Sequence, residues 1–593
     1  MAFLVSPGVN TSEIDLTTSV PGVGTTTGGT VGFFRWGPAN TVIQVTSESD
    51  LAEKFFKPDG NSALSFMSAA NFLSYGNDLR VVRVINEAAT ASGSNNAVAR
   101  ANSAAGTSAA DAYVIANEED YFNDEYNSAS ATLGWAARYP GALGNSLKVA
   151  VCANSATFSS WKYAPYFDAA PNTSAFALAQ TNGTYVRDEL HLIVIDEDGA
   201  ITGTANTVLE RFPNLSKARD AKGDDGSSIY YKEAVYRGSK WIHWLGHVHT
   251  GSVTANQWGQ NVSSVSTGTF FSPPGTPEEW SLLGGQDGTI TQGNIETAVD
   301  KFTNSELVDV SLLFVGDSGI SAANLTANGS AIVAVSQKYL TVASARKDAV
   351  AFVSPTYANA VTSTTKTTDV VAFRNALTST SYGVMDSGWK YQYDKYNDVY
   401  RWVPLNADVA GLCVRTDLQR DPWFSPAGID RGQIRNLVKL SFNPTQAERD
   451  SLYKAGVNPV VSFPGEGTLL FGDKTLQGRP SAFDRINVRR LFIVLEKAIS
   501  RAARASLFEI NDEFTRAQFV ALVEPFLRDV QGRRGIYDFR VVCDETNNTT
   551  GVIDRNEFVG DIYIKPARSI NFIQLNFVAV RSGVSFDEIV GRF

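Results

Sequence analysis

VDVSLLFVGDSG (308–319), AIVAVSQKYLTVASARK (331–347) and AVAFVSP (349–355) decide the fold class of this chain. The first and third are short apolar runs rich in β-branched residues and closed by Gly or Pro, the pattern of buried strands. Between them apolar residues recur at helical spacing. A strand, helix and strand in that order predict a partly parallel sheet covered on both faces. We assign this middle α/β domain to residues 283–472.

Toward the N-terminus, residues 1–20 hold many Ser and Thr around Ser6-Pro7-Gly8 and show no helical period. They read as an extended arm, and the Gly/Thr-rich run from Gly22 to Thr30 as its hinge. From there to residue 88 the pattern is compact α/β: a strand at 41–45, a helix capped by Ser47, a second helix over 62–75 with Gly76 at its C′ position, and a strand at 79–85. Residues 21–88 and 139–282 are assigned to an outer α/β domain. The Ala/Ser/Asn-rich stretch 89–138, with its acidic aromatic island EEDYFNDEY (118–126), is assigned to a short inserted lobe. HLIVIDEDGAITG (191–203) predicts a hairpin turning at Asp198-Gly199.

The C-terminal domain, 473–593, carries a long helix over 488–508 and a helix opened by Thr515-x-x-Gln518, expected to kink at Pro525. Strands follow at 535–542, 560–566 and 570–580. On the long helix, Arg490, Lys497, Arg501 and Arg504 recur at spacings of seven, four and three, a basic stripe beside an apolar one that reads either as a solvated face or as a docking face for an acidic protein surface. The N-terminal arm is extended without a helical pattern, and the segment at 570–580 is β-prone. Val5, Pro7, Gly8, Val9 and Ile14 at one end, and Ile570, Phe572, Ile573, Leu575, Phe577 and Val578 at the other, suit pairing with the sheet edge of another copy or packing within their own domain.

The chain has 593 residues, a formal charge of −10 and three widely spaced cysteines. That length predicts several domains, and the cysteines exclude a disulfide framework or a CxxC metal pattern. An acidic chain without basic runs is a poor nonspecific nucleic-acid binder. Without a signal-peptide pattern or a run of about 18 apolar residues, it reads as soluble, with no stable membrane insertion.

WIHWLGHVH (241–249) places His243, His247 and His249 close together, but the Glu of HExxH is missing. A Trp-rich strand with the imidazoles on one side is the better reading, and four residues of strand span about 13 Å, too far for one zinc. GEGTLLFGDKT (465–475) resembles a phosphate loop broken by Asp473 between Gly472 and Lys474. In DEDG (196–199) the twelfth position counted from Asp196 is Thr207, where a calcium loop needs Glu. The aspartates of YQYDKYNDVYRW (391–402) suit a solvated strand pair. No catalytic, metal-binding or cofactor-binding residues are assigned, and no cofactor is expected.

Longer stretches carry a resemblance: SPGV (6–9), FFRWGPA (33–39), MSAANFLSYGNDLRVVR (67–83), YPGALGN (139–145), WKYQYDKYNDVYRWVPLNADVAGLCVRTD (389–417), SPAGIDRGQI (425–434), GDKT (472–475), FDRINVRRLF (483–492), RVVCDETNNTTGVIDRNEFV (540–559) and PARSINFIQLNFVA (566–579). Together they resemble the tail sheath proteins of T-even-type contractile-tailed bacteriophages. The resemblance implies an α+β multidomain architecture whose inner domain is built from both chain ends, with other domains inserted outward. It further implies a non-enzymatic subunit, assembled in the host cytoplasm and located in the virion, that forms stacked six-fold rings. Its partners would be further copies of itself, the tail tube protein, and baseplate and tail-terminator proteins, with no direct nucleic-acid contact. A sheath subunit of a tailocin or other contractile injection system is the alternative.

Overall fold

The computed structural model describes residues 24–88, 92–100, 113–126, 133–247, 258–262, 276–317 and 329–571, together with 90, 271 and 574. The described residues form two compact units, one of 24–422 with Pro426–Ala498 and a smaller one of Trp423–Ser425 with 499–571. The boundary between these units falls inside the long helix Ile486–Ala503.

The larger unit is built on a six-stranded core sheet. Its spatial order is Gly383–Met385, Val350–Val353, Leu312–Phe314, Gly28–Gly32, Leu79–Arg83 and Val42–Val45; the first five run parallel and the last is antiparallel. The predicted strand–helix–strand unit is present as Leu312–Phe314, the helix Gly329–Arg346 and Val350–Val353. Period-two alternation sends Val31, Val82, Leu313 and Ala351 into one apolar core and Val81, Leu312, Val350 and Phe352 into another. Both faces are therefore buried, which is why these strands read as unbroken apolar runs.

Two sequence readings are corrected here. The Gly/Thr run is not a hinge over 25–30: Gly28–Gly32 is a fully buried central strand. A Cβ on Gly28 would lie 2.4 Å from the ring of Phe72, and one on Gly29 would lie 2.8 Å from Leu313. Those glycines allow close packing rather than bending. For the same reason residues 28–45 and 79–83 share a sheet with 312–385, and not with the 139–282 segment. Gly76 likewise keeps an ordinary φ; its missing Cβ leaves room for Val414, 2.7 Å away.

Ser47 caps the helix Glu48–Phe55 as read, accepting from Asp50 N. Residues 139–282 form a four-stranded antiparallel sheet ordered Glu278–Ser281, Leu147–Cys152, Glu189–Asp196 and Thr207–Ser216. A second sheet pairs Val98–Arg100, Leu133–Ala137 and Ile242–Trp244. The inserted stretch therefore contributes buried strands, Trp135 included, that composition alone hides. In the smaller unit the helix Glu513–Gly532 is capped by Asp512, which accepts from Thr515 N, so it starts before the Thr515 box. It covers an antiparallel hairpin of Ile536–Val542 and Asp561–Pro566 with Phe519, Val523, Leu527 and Val530 buried.

Candidate assembly surfaces

In open α/β sheets, ligands bind outside the carboxyl ends of the strands. Here the protein's own polar groups are hydrogen-bonded to one another at those ends. Asn406 donates Nδ2 to Gly316 O (2.9 Å), accepts from Gly316 N (3.0 Å) and donates its backbone N–H to Ser354 Oγ (2.9 Å). Ser354 Oγ in turn donates to Asp386 Oδ2 at 2.6 Å, and Ser65 Oγ donates to Asp317 Oδ1 at 2.9 Å. Burial pushes the Asp386 carboxyl up to about 8. Such a shift marks an acid or base only when a substrate can reach it, and Asp386 is enclosed.

The other sequence candidates are likewise absorbed by structure. Asp196 accepts from Ser146 Oγ, Gly199 N, Ile201 N, Thr202 N and Thr202 Oγ1, so backbone and hydroxyl donors occupy the places a calcium ion would need. In the broken phosphate loop, Gly465 and Gly467 turn a hairpin with positive φ. Asp473 pairs there with Arg485 at 2.9 Å. Asp394 is buried rather than solvated as the sequence suggested; it caps its own turn and pairs with Arg401 at 2.9 Å. Lys217, wholly buried and brought down to about 7 by that burial, donates to Arg187 O at 2.8 Å.

His243 lies on the Ile242–Trp244 strand, stacked on Tyr121 with centroids 3.9 Å apart. The strand ends at Trp244, so His247 is not on it as the sequence suggested; it meets Tyr231 Oη at 2.6 Å instead. Burial holds both imidazoles below their ordinary range. His249 lies outside the described residues. Among the described residues, no three potential metal ligands stand together.

The basic stripe divides in two. Arg490 is buried and pairs with Asp417 at 2.6 Å, an oxygen that also accepts from Thr25 Oγ1. Lys497 pairs with Asp309 at 2.7 Å and donates to Ser311 Oγ at 2.9 Å. Neither is available to a partner, which corrects the stripe for these two; their acids lie far away in sequence, so helical spacing could not reveal the pairing. Arg501 and Arg504 are exposed. Of the arm residues, Ile570 is described and exposed, whereas Val5, Pro7, Gly8, Val9, Ile14, Phe572, Ile573, Leu575, Phe577 and Val578 lie outside the described residues.

The long signature stretches build a buried scaffold. Lys390 Nζ donates to Asp408 Oδ1 (2.9 Å) and Arg435 O (2.9 Å), and Tyr75 Oη donates to the same carboxylate at 3.1 Å. Burial works against the charged form of both partners, and their contact opposes it. Arg83, buried, donates to Phe34 O, Gly37 O and Pro140 O at 2.6–2.8 Å, tying FFRWGPA to YPGALGN. In the smaller unit Asn548 exchanges two hydrogen bonds of 2.8 Å with the Val559 backbone, closing the loop of the CDETNN stretch.

What the smaller unit leaves open is its hairpin. Among the described residues, Ile536–Val542 and Asp561–Pro566 pair only with each other, so each presents a free edge. Around them Leu507, Phe508, Ile510, Phe514, Tyr537 and Tyr563 are exposed, and Phe508 takes φ +70°, a strained backbone for an aromatic residue.

Among the described residues the perturbed groups Asp386, Lys217 and His243 are enclosed, and the smaller unit of this α+β chain shows an open sheet edge and exposed apolar side chains. Residues 25–84 match the family described as the tail sheath protein Gp18 domain III N-terminal region, 288–476 the phage tail sheath protein central domain, and 479–579 the phage tail sheath C-terminal domain. The chain is 35% identical to the tail sheath protein of Vibrio phage KVP40, covering 99% of this chain and 100% of the relative. It is 33% identical to that of Enterobacteria phage T4, covering 99% of each. A sheath tail protein from Listeria innocua shares the fold, with a TM-score of 0.50 over 92% of each chain at 10% identity. The chain belongs to the phage tail sheath family. It is a structural protein of the contractile tail, not an enzyme.

Proposed function

We propose that this chain polymerises as stacked six-fold rings around a tail tube and contracts when the baseplate triggers it, driving the tube through the host envelope for genome delivery. Its place is then the virion tail, and its partners are further copies, the tube protein, and baseplate and terminator proteins. The observation that carries this reading is the open-edged hairpin of the smaller unit, in a chain whose two ends are β-prone. An arm from one copy adding a strand to the hairpin of the next supplies directional backbone hydrogen bonds. Such head-to-tail contacts propagate as a helix of rings. Work is stored as a difference between two packings of folded subunits, so no nucleotide is needed. Arg501 and Arg504 are placed toward the tube or a neighbouring copy.

Negative-stain microscopy of the purified full-length chain tests this. Striated tubes are expected from the intact chain, and soluble monomers from chains lacking 1–20 or 570–593. Long tubes from either truncated chain would overturn the arm mechanism.

A further inference from the structure

The hairpin Trp389–Asp394 and Val399–Pro404 is turned inside out. Lys390, Gln392 and Asp394 point inward and are buried, whereas Tyr393 and Tyr400 on the other face are about half exposed. Cross-strand pairing sets Tyr391 opposite Trp402 and Tyr393 opposite Tyr400, on one face. The rings form a continuous platform, with centroids 4.8 Å apart for Tyr391–Trp402, 5.6 Å for Tyr391–Tyr400 and 5.2 Å for Tyr393–Tyr400. A sheet that spends its interior on Lys and Asp and shows aromatic rings to solvent has the composition of an interface.

The platform carries opposite charges at its two ends: Tyr393 donates its hydroxyl to Asp398 at 2.7 Å beside the turn, and Lys439 stands at the other end. The third strand, Lys439–Leu440, sets Lys439 beside Tyr391, its ammonium 5.1 Å from that ring and 5.7 Å from Trp402. Lys439 lies in a stretch with no carboxylate between Asp430 and Glu448, in a chain of net charge −10. Lys439 is exposed and forms no ion pair among the described residues.

The complement exists on the same chain. The turn from Asn117 to Tyr126 carries Glu118, Glu119, Asp120, Asp124 and Glu125. Asp120 is used to cap the Ala116 backbone and Glu118 lies 3.8 Å from Arg138, but Glu119 and Asp124 are exposed without a cationic partner among the described residues. At its tip Phe122 is half exposed and stacks on Tyr126 with centroids 5.3 Å apart. We propose that the acidic aromatic turn 117–126 of one copy docks on the Tyr391–Tyr393–Tyr400–Trp402 platform of a second copy, with Glu119 and Asp124 meeting Lys439. The two patches differ and match in charge, which is what a heterologous contact requires. The contact rests on the polymerisation proposed above.

Charge exchange in the full-length chain tests it. Lys439→Glu alone, and Glu119→Lys with Asp124→Lys, should each raise the concentration for half-maximal sedimentable polymer about tenfold or more, with unchanged circular dichroism and melting temperature. All three substitutions together should bring it back to within about threefold of the unmodified chain. Tyr400→Ala should weaken assembly by at least as much as Lys439→Glu. Unaltered assembly of both reversed chains, or no recovery in the triple variant, overturns the contact while leaving the sheath reading intact. An unmodified chain that never polymerises overturns both.

Discussion

The core sheet of the larger unit and the hairpin of the smaller one are opposite answers to the same problem, the unpaired edge and face of a β-sheet. The core sheet has apolar side chains on both faces, and its strand ends are tied by hydrogen bonds among Asn406, Ser354 and Asp386. The hairpin has one helix behind it and two free edges among the described residues. The first region is built to keep its shape, the second to be completed by something else. That contrast matches a subunit that must stay folded while its neighbours move.

Four experiments break or sharpen the contrast. Removing residues 570–593 is expected to abolish polymer while the melting transition of the larger unit persists, seen by sedimentation and calorimetry. Next in size, Lys390→Met leaves Asp408 buried without its counter-charge and should cost about 3–5 kcal/mol in urea unfolding. If the loss is under about 1 kcal/mol, the Lys390–Asp408–Tyr75 network is not what secures the platform hairpin to the core.

A smaller effect is pH-dependent. His243 and His247 are held below their ordinary range chiefly by burial, His247 at about 4, with Arg138 and Lys232 adding repulsion. Below about 6.5 the unfolded chain takes up protons that the folded chain refuses, so stability falls as pH drops from about 6.5 toward 4. The slope is about 1.4 kcal/mol per pH unit for each such histidine. His243→Phe, which keeps the stack on Tyr121, should flatten the slope by one proton's worth in unfolding curves at pH 7 and pH 5. The smallest change is expected from Arg501→Glu with Arg504→Glu: stability within about 0.5 kcal/mol of the unmodified chain, but weaker tube-templated assembly that deteriorates with salt. Unchanged templating would remove these arginines from any interface.

The strand–helix–strand unit was legible because burial on both faces writes itself as apolar runs, and the strands at 389–404, 536–542 and 561–566 because their β-prone residues are local, whereas which face of the 389–404 pair is buried was not. The buried Gly28–Gly32 strand was not. Its glycines answer to Phe72 and Leu313, partners set by the fold, and without them a Gly/Thr run looks like a hinge. Arg490 and Lys497 were misread for a related reason: spacing along a helix shows which side chains share a face, but not that Asp417 and Asp309 wait on the other side of that face. The histidine strand was cut short after Trp244, where the chain turns toward Tyr231. The assembly role was legible through long signature stretches, several of whose residues, such as Arg83, Lys390 and Asn548, prove to be internal ties.

The central claim is that the hairpin of the smaller unit is completed by a strand from another copy. Hydrogen–deuterium exchange resolved to the backbone amides of Ile536–Val542 and Asp561–Pro566, compared between monomeric and polymerised chain, tests it most directly. The account predicts that outward-facing edge amides of one of these strands exchange freely in the monomer and become strongly protected in the polymer, while amides of the core sheet are protected equally in both. Edge amides that exchange at the same rate in polymer and monomer would contradict it.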